Sequence, residues 1–320
     1  MKKLLSTGLV AALGLTATAA LAANDYPNQP IRLIVPYSAG GVTDLVGRAL
    51  ANEVGKRLGQ SVVVENKTGA NGTMGAIQML TAKPDGYTIT MVPIGIYRMP
   101  HITGASYDPA KHFTYISQVA GYDYYVAVKA DSPWKTIDEF VAYAKKNVDK
   151  ISYGTPGAYS SQHIAMVQLG EVADVKWTHV PFKGEADALT GVMGKHIQTL
   201  VGASGILPYV ASGDMRALAA LGETRSKMLP DVPTLKESGY DVVHTSAFGI
   251  VGPKGMPEDV VKKIDAAIGE AMGDPAFVDQ LIQFGVSPLY LDHDAYTASA
   301  MRSVVDEKTT IEKLGDITAK

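Results

Sequence analysis

Cysteine is absent from all 320 residues. That excludes disulfides, thiolate metal sites and a cysteine nucleophile, and a chain this long can bury a full core without covalent staples. Surplus charge is also scarce: 29 basic against 32 acidic residues leave a formal net charge of −3. Such a balance suits solubility and serves nucleic acid or anionic lipid poorly, so any anion site must be local, made by backbone and dipoles. Close pairings of histidine and carboxylate that would ligate zinc are missing, and His163 and His179 stand isolated. Neither a metal nor a cofactor is expected. Gly69, Gly72 and Gly75 run as GxxGxxG rather than the dinucleotide fingerprint GxGxxG, and there is no P-loop and no G-x-S-x-G elbow. Ser132-Pro133-Trp134-Lys135 and Lys67-Thr68-Gly69 match fragments of a β-lactamase signature. Their order is reversed and S-D-N is lacking, which rejects that reading.

What is present begins with an export leader. Met1-Lys2-Lys3, the apolar run Leu4 to Leu21 and the small-x-small Ala20-Leu21-Ala22 have the layout of a signal peptide over 1–22, with the mature chain starting at Ala23. A transmembrane anchor is the competing reading, but Gly, Thr and Ala make the run weakly hydrophobic. With no cysteine at the cleavage point, lipid anchoring is not expected. Loss of Lys2 and Lys3 with the leader takes the net charge from −3 to −5. A soluble, exported, monomeric protein is the expectation.

Strand-like and helix-like runs alternate, which predicts an α/β architecture with largely parallel sheets. Strands are expected at 31–36, 61–65 and 87–92, with helices at 43–58 (closed by Gly59) and about 73–82. This opening is βαβαβ. Adjacent strands at 113–119 and 122–128 can carry the chain into a second lobe, where a helix over 132–146 contains the capping box Thr136-Ile137-Asp138-Glu139. A second βαβαβ follows: strands at 151–153, 177–181 and 197–201, with helices from Ser160 and about Glu185. One more strand is read at 216–221 and an extended return at 242–251, then helices at 257–272, 275–284 and about 293–314. The C-terminal part is expected to bring no strand and to pack on an existing sheet. The division is therefore lobe 1 at 23–121, lobe 2 at 122–245, and a return to lobe 1 at 246–320. Slender crossings near 121 and 246 would act as a hinge.

Four glycine loops carry the functional reading. Val35 to Asp44 joins a strand to a long helix through Gly40-Gly41, with few side chains to keep a ligand from the backbone. The first N–H groups of a helix lack intrahelical partners, and the dipole favours an anion there. Alone, this is as readily a plain βα turn. Asn66 to Thr73, Gly154 to Ser161 and Phe182 to Ala186 repeat the device, each at a strand's carboxyl end, two from each lobe. Facing lobes would bring these helix starts to one cleft suited to a small carboxylate. Tyr122, Tyr124 and Tyr125 either line an aromatic pocket or pack on alternate strand faces. Asp44 and Asp187, in first turns, either compensate helix dipoles or orient loop N–H groups.

Together with Val64 to Gly72, Lys83-Pro84-Asp85-Gly86-Tyr87, Tyr153 to Gly157, Pro181-Phe182-Lys183-Gly184 and Leu229 to Thr234, the loop Pro36 to Asp44 resembles the Bug/TctC proteins, periplasmic receptors of tripartite tricarboxylate transporters. The resemblance runs over essentially the whole mature chain. It implies a type 2 periplasmic-binding-protein fold: two similar βαβ-based lobes joined by a hinge and closing on one carboxylate. It further implies that the first loop, here Ser38, Ala39, Gly40 and Gly41, holds one carboxylate end together with Lys183, Gly184, Glu185, Ala186 and Asp187, partly through ordered water, and Tyr37 and Asp44 beside that loop are counted as ligand-binding candidates. Gly95, the segment from Ala158 through Ser160 and Ser161 to His163, and Ala203-Ser204 match the positions for the rest of the ligand. The chain departs in having Tyr37-Ser38 where many relatives have Phe-Pro, and Ser38 adds a hydroxyl.

The leading expectation is a non-catalytic receptor that hands a small organic carboxylate, with one or two carboxyl groups and aromatic or aliphatic, to a membrane permease. An exported hydrolase using Ser160 or Ser161 with His163 is the second reading, and a receptor serving a signalling sensor the third.

Overall fold

The computed structural model describes residues 26–315 except 149 and 183; the signal-peptide reading and Lys183 lie outside the described residues. Two mixed α/β sheets organise the chain. The first holds six strands, in the order β11 (Ser287–Leu291), β4 (Phe113–Tyr122), β10 (Ser246–Pro253), β3 (Thr88–Pro93), β1 (Ile31–Val35) and β2 (Val62–Asn66), and the second five, in the order β7 (Thr178–Pro181), β6 (Ser152–Thr155), β8 (Thr199–Gly202), β5 (Tyr125–Lys129) and β9 (Met215–Ala220).

The first sheet opens with β1 (Ile31–Val35), α1 (Val42–Leu58), β2 (Val62–Asn66), the short α2 (Met74–Met79) and β3 (Thr88–Pro93). β1 pairs in parallel with both β2 and β3. Its residues read as an unbroken apolar run because both faces are covered. Leu33 and Val35 join a cluster with Val46 and Leu50 of α1, while Ile34 faces the opposite cluster. Gly59 ends α1 in the left-handed conformation, φ 66°, as its position after the apolar stripe predicts.

Next come α3 (Gly95–Thr103), β4 (Phe113–Tyr122) and β5 (Tyr125–Lys129); the chain leaves the first sheet at Tyr122 and enters the second at Tyr125. The second sheet continues through α4 (Ile137–Lys146), β6 (Ser152–Thr155), α5 (Ser161–Ala173), β7 (Thr178–Pro181), α6 (Glu185–Met193), β8 (Thr199–Gly202), α7 (Leu207–Ala211) and β9 (Met215–Ala220). α4 starts later than expected, at Ile137, because Thr136 caps it: its hydroxyl accepts the Glu139 N–H at 3.2 Å. The chain returns to the first sheet in β10 (Ser246–Pro253) and finishes with α8 (Glu258–Met272), α9 (Pro275–Gln283), β11 (Ser287–Leu291) and α10 (His293–Leu314).

Three expectations need correction. The sheets are mixed rather than largely parallel, since β10 runs antiparallel to β3 and β4, and β5 antiparallel to β8 and β9. Strands that carry the chain between sheets enter from the far end, so they cannot follow the βαβ direction. The C-terminal part does bring a strand: β11 pairs with β4 at the sheet edge through a register shift between Pro288 and Leu291. Proline in so short a run hides an edge strand. Finally, α3 occupies a stretch read as loop, its pattern interrupted by Pro100.

Helix α10 belongs to the first sheet but ends on the second. Ile311 and Leu314 pack with Ile164 of α5, and Lys313 pairs with Glu171 at 3.3 Å. Among the described residues no helix is long and apolar enough to cross a membrane.

Candidate functional site

A cavity of about 850 Å³ lies between the two sheets, walled by the β1–α1 loop, the start of α3, the crossing strands and the β6–α5 loop. Its most exposed wall is the start of α1. Gly41 is the helix cap, in an extended conformation, and Gly41, Val42 and Thr43 face the cavity with the unpartnered N–H end of a 17-residue helix. Gly40 beside it holds φ 81°, which a side chain would strain.

Asp44 shapes this loop from behind. It is 1 % exposed and accepts the Gly40 N–H at 2.8 Å, Asn66 Nδ2 at 2.8 Å and Arg48 Nε at 2.9 Å. Burial pushes its carboxyl up, but the hydrogen bonds from Arg48, Gly40 and Asn66 outweigh burial and hold it below the usual range. Asn66 also donates to the Tyr37 carbonyl at 2.9 Å. The acid is therefore a loop brace off the cavity wall.

Opposite stands the start of α5. Ser160 caps it, accepting the His163 N–H at 3.2 Å, and Ser160, Ser161 and Gln162 line the cavity. His163 is 1 % exposed behind the loop: its Nδ1 accepts the Tyr159 N–H at 3.1 Å and its ring stacks on His179 at 3.6 Å. The Thr155 hydroxyl donates its one proton to the Gly157 carbonyl at 2.9 Å, so at 2.7 Å His179 Nε2 is the donor to it. Both imidazoles brace the loop that forms the wall. The Ser–His hydrolase geometry is not what they build: the Ser160 hydroxyl serves the His163 backbone, and Ser161 accepts from an arginine.

Burial lowers both imidazoles, His163 to about 3, where the neighbouring His179 adds to the effect, and His179 to about 4. A base lowered in the folded state takes up protons first in the unfolded chain. Stability is then unaffected above the ordinary value of 6.5 and falls as pH drops below it, by up to about 1.4 kcal/mol per pH unit for each histidine. Thermal melting is expected to decline between pH 6.5 and pH 5, before carboxylates titrate; a flat profile there contradicts the neutral pair.

Arg98, which the sequence reading missed, is the cation of the wall. It is 2 % exposed, forks onto Glu307 of α10 (Nε–Oε2 2.7 Å, Nη2–Oε1 2.8 Å) and donates through Nη1 to the Tyr159 carbonyl at 3.1 Å and Ser161 Oγ at 3.3 Å. It thus ties the first sheet's helices to a loop of the second. A lone charge within the apolar run Ile94-Gly95-Ile96-Tyr97-Arg98-Met99 was the available signal. Tyr37, Tyr122 and Tyr124 also stand on the wall, while Tyr125 is fully buried and bonded to Ser226. Burial raises all three wall phenols, so they stay protonated and able to donate.

Of the residues singled out, the cavity brings together Tyr37, Ser38, Gly41, Gly95, Ala158, Ser160, Ser161, Glu185, Ala203 and Ser204. Ala39, Gly40, Asp44, His163, Gly184, Ala186 and Asp187 are not on the lining; Ala186 and Asp187 point to solvent. The second glycine loop is also displaced from the wall. It backs Tyr37, whose hydroxyl lies 2.5 Å from where a Cβ on Gly72 would stand. Among the described residues no group of three His, Asp or Glu side chains could hold a metal ion.

The sequence profile described as "Tripartite tricarboxylate transporter family receptor", TctC, matches residues 46–316. A UPF0065 protein from the gbd 5′ region of Cupriavidus necator is 42 % identical over 306 residues, covering 95 % of this chain and 94 % of that one. A TctC solute-binding protein from Polaromonas, solved without ligand, superposes with a TM-score of 0.79 at 32 % identity, over 90 % of this chain and 100 % of that one. Periplasmic binding protein BugD superposes with a TM-score of 0.76 at 33 % identity, over 90 % and 98 %. At 24 % identity the fold is shared with two R. palustris structures, one solved with adipate (TM-score 0.78) and one with malate (0.74).

Proposed function

The chain belongs to the receptor family of tripartite tricarboxylate transporters, a family of periplasmic solute-binding proteins, and from that premise we propose that it captures a small organic carboxylate between its sheets and delivers it to the family's membrane permease. The observation that carries the ligand class is the convergence of two long helix starts, those of α1 and α5, on one cavity. Their free N–H groups, with protonated tyrosines between, form an anion seat that needs no unpaired cation. The Arg98 charge is already matched by Glu307. Adipate and malate in structures sharing this fold are in keeping with such a seat.

The leader 1–22 is removed on export, and residues 23–121 with 246–320 move as one lobe against 122–245. The crossings at 122–125 and near 246 are the hinge. Ligand contacts from both sides favour the closed arrangement, and this closed form is what the permease meets. The protein acts as a carrier and performs no chemistry.

A thermal screen tests the reading. Organic carboxylates that fit raise the melting temperature by several degrees while their amides do not, because ligand at a hundredfold excess over Kd stabilises by about 2.7 kcal/mol. A screen in which only sugars or amides shift melting overturns it.

A further inference from the structure

Glu185, on the cavity wall at the first residue of α6, is the one acidic side chain among the described lining residues. Its Oε1 accepts the Ala203 N–H at 2.7 Å, and the carboxylate takes a second hydrogen bond from the Gly205 N–H. Gly205 permits that approach, since a Cβ there would stand 2.8 Å from Oε1. These backbone donors, at the carboxyl end of β8, are therefore filled by the protein's own carboxylate. Among the described residues no cationic side chain forms an ion pair with this carboxylate. Arg98 is spent on Glu307 and does not neutralise Glu185.

The cavity is thus polarised. The starts of α1 and α5 offer donors, and Glu185 offers a partly satisfied acceptor beside the Tyr122 and Tyr124 phenols, on which its charge acts. A ligand carboxylate placed against Glu185 would meet like charge in a half-buried site with its N–H donors already taken, which opposes binding strongly. An ammonium or hydroxyl there would complete the carboxylate's empty lone pairs. We infer that Glu185 sets the ligand class: the site takes a monocarboxylate whose other end is an uncharged or cationic hydrogen-bond donor, and discriminates against dicarboxylates. This rests on the carboxylate reading above. Burial already raises the Glu185 carboxyl against the pull of the Ala203 and Gly205 N–H groups, in keeping with an acid that no cation among the described residues neutralises.

The test is calorimetry at pH 7.5 on the full mature protein and on Glu185→Gln. The ligands are matched straight-chain series of dicarboxylates, ω-hydroxy acids and ω-amino acids of three to eight carbons, with benzoates bearing para carboxyl, hydroxymethyl or aminomethyl groups. The native protein is expected to bind a hydroxy or amino member at least tenfold more tightly than the dicarboxylate of equal length. Glu185→Gln, which keeps an oxygen for the Ala203 N–H and removes the charge, is expected to shrink that ratio at least tenfold. A dicarboxylate as the native protein's tightest ligand, or a ratio unmoved by the substitution, overturns the inference and leaves the carboxylate reading standing. Failure of every member to bind overturns both. The native comparison decides even if the variant folds poorly.

Discussion

Arg98→Met is expected to remove about 3–5 kcal/mol of folding stability. The loss comes from what remains behind. Glu307, with its side chain 8 % exposed, becomes a buried carboxylate without the Arg98 cation, and the arginine's hydrogen bonds to the Tyr159 carbonyl and the Ser161 hydroxyl are lost. The fork onto Glu307 has two hydrogen bonds of 2.7 and 2.8 Å, a geometry methionine cannot replace. Urea unfolding at pH 7 measures it as a lowered midpoint at unchanged slope. Adding Glu307→Leu to the same chain is expected to recover much of the loss, because an apolar pair of similar volume is often as stable as the buried ion pair it replaces. A double variant no more stable than Arg98→Met would place the damage elsewhere.

Gly41→Val is expected to weaken carboxylate binding by about a hundredfold or more while leaving the fold intact. The native backbone at Gly41, φ −75° and ψ 163°, is one that β-branched residues favour, and the nearest obstacle to a Cβ is the Ser38 carbonyl at 3.3 Å. Nothing about folding therefore requires glycine here. What valine adds is bulk on the cavity wall, over the free N–H groups of α1, and a charge-assisted hydrogen bond lost to an anion is worth roughly 1.5–3 kcal/mol. Calorimetry with a carboxylate found in the thermal screen is the measurement. Binding within threefold of the native protein would show that the helix start is not the seat. Gly40 is the control on the other side: with φ 81° its replacement strains the loop itself, so a defect there reports folding as well as binding.

The two sequence-level signals that survived into the site are both local. A glycine pair ahead of an amphipathic stripe predicts a bare helix start, and the α1 and α5 starts do stand on the cavity wall. Likewise the Thr136 cap and the Gly59 stop are decided within a few residues, and they sit where the pattern puts them. The same reasoning counted Asp44 and His163 with the ligand positions, and the fold sets both side chains behind the loops rather than on the cavity wall. Residue type and spacing show that a polar group is near a loop, but not which side of the loop it faces. Asp44 turns inward because Gly40, Asn66 and Arg48 surround it, and one of these partners, Asn66, is on another strand. Asn66 to Thr73 has every mark of a ligand loop, yet it became the floor beneath Tyr37.

An α/β alternation, the lack of cysteine chemistry and the run of small residues around Gly41 needed no folded structure, because each is a statement about neighbours in the chain. The direction of β10 and β5, the edge strand β11 and the helix α3 required the folded sheets, since antiparallel return and edge pairing are long-range choices that leave weak marks on short segments. Above all, the Arg98–Glu307 fork joins residues 209 positions apart, and the contact of Glu185 with Ala203 depends on two loops meeting across the end of one sheet. Electrostatic partners are chosen by distance in space and by exclusion of water. The chain's order carries neither, and so the charge polarity of the cavity emerged only when the sheets faced one another.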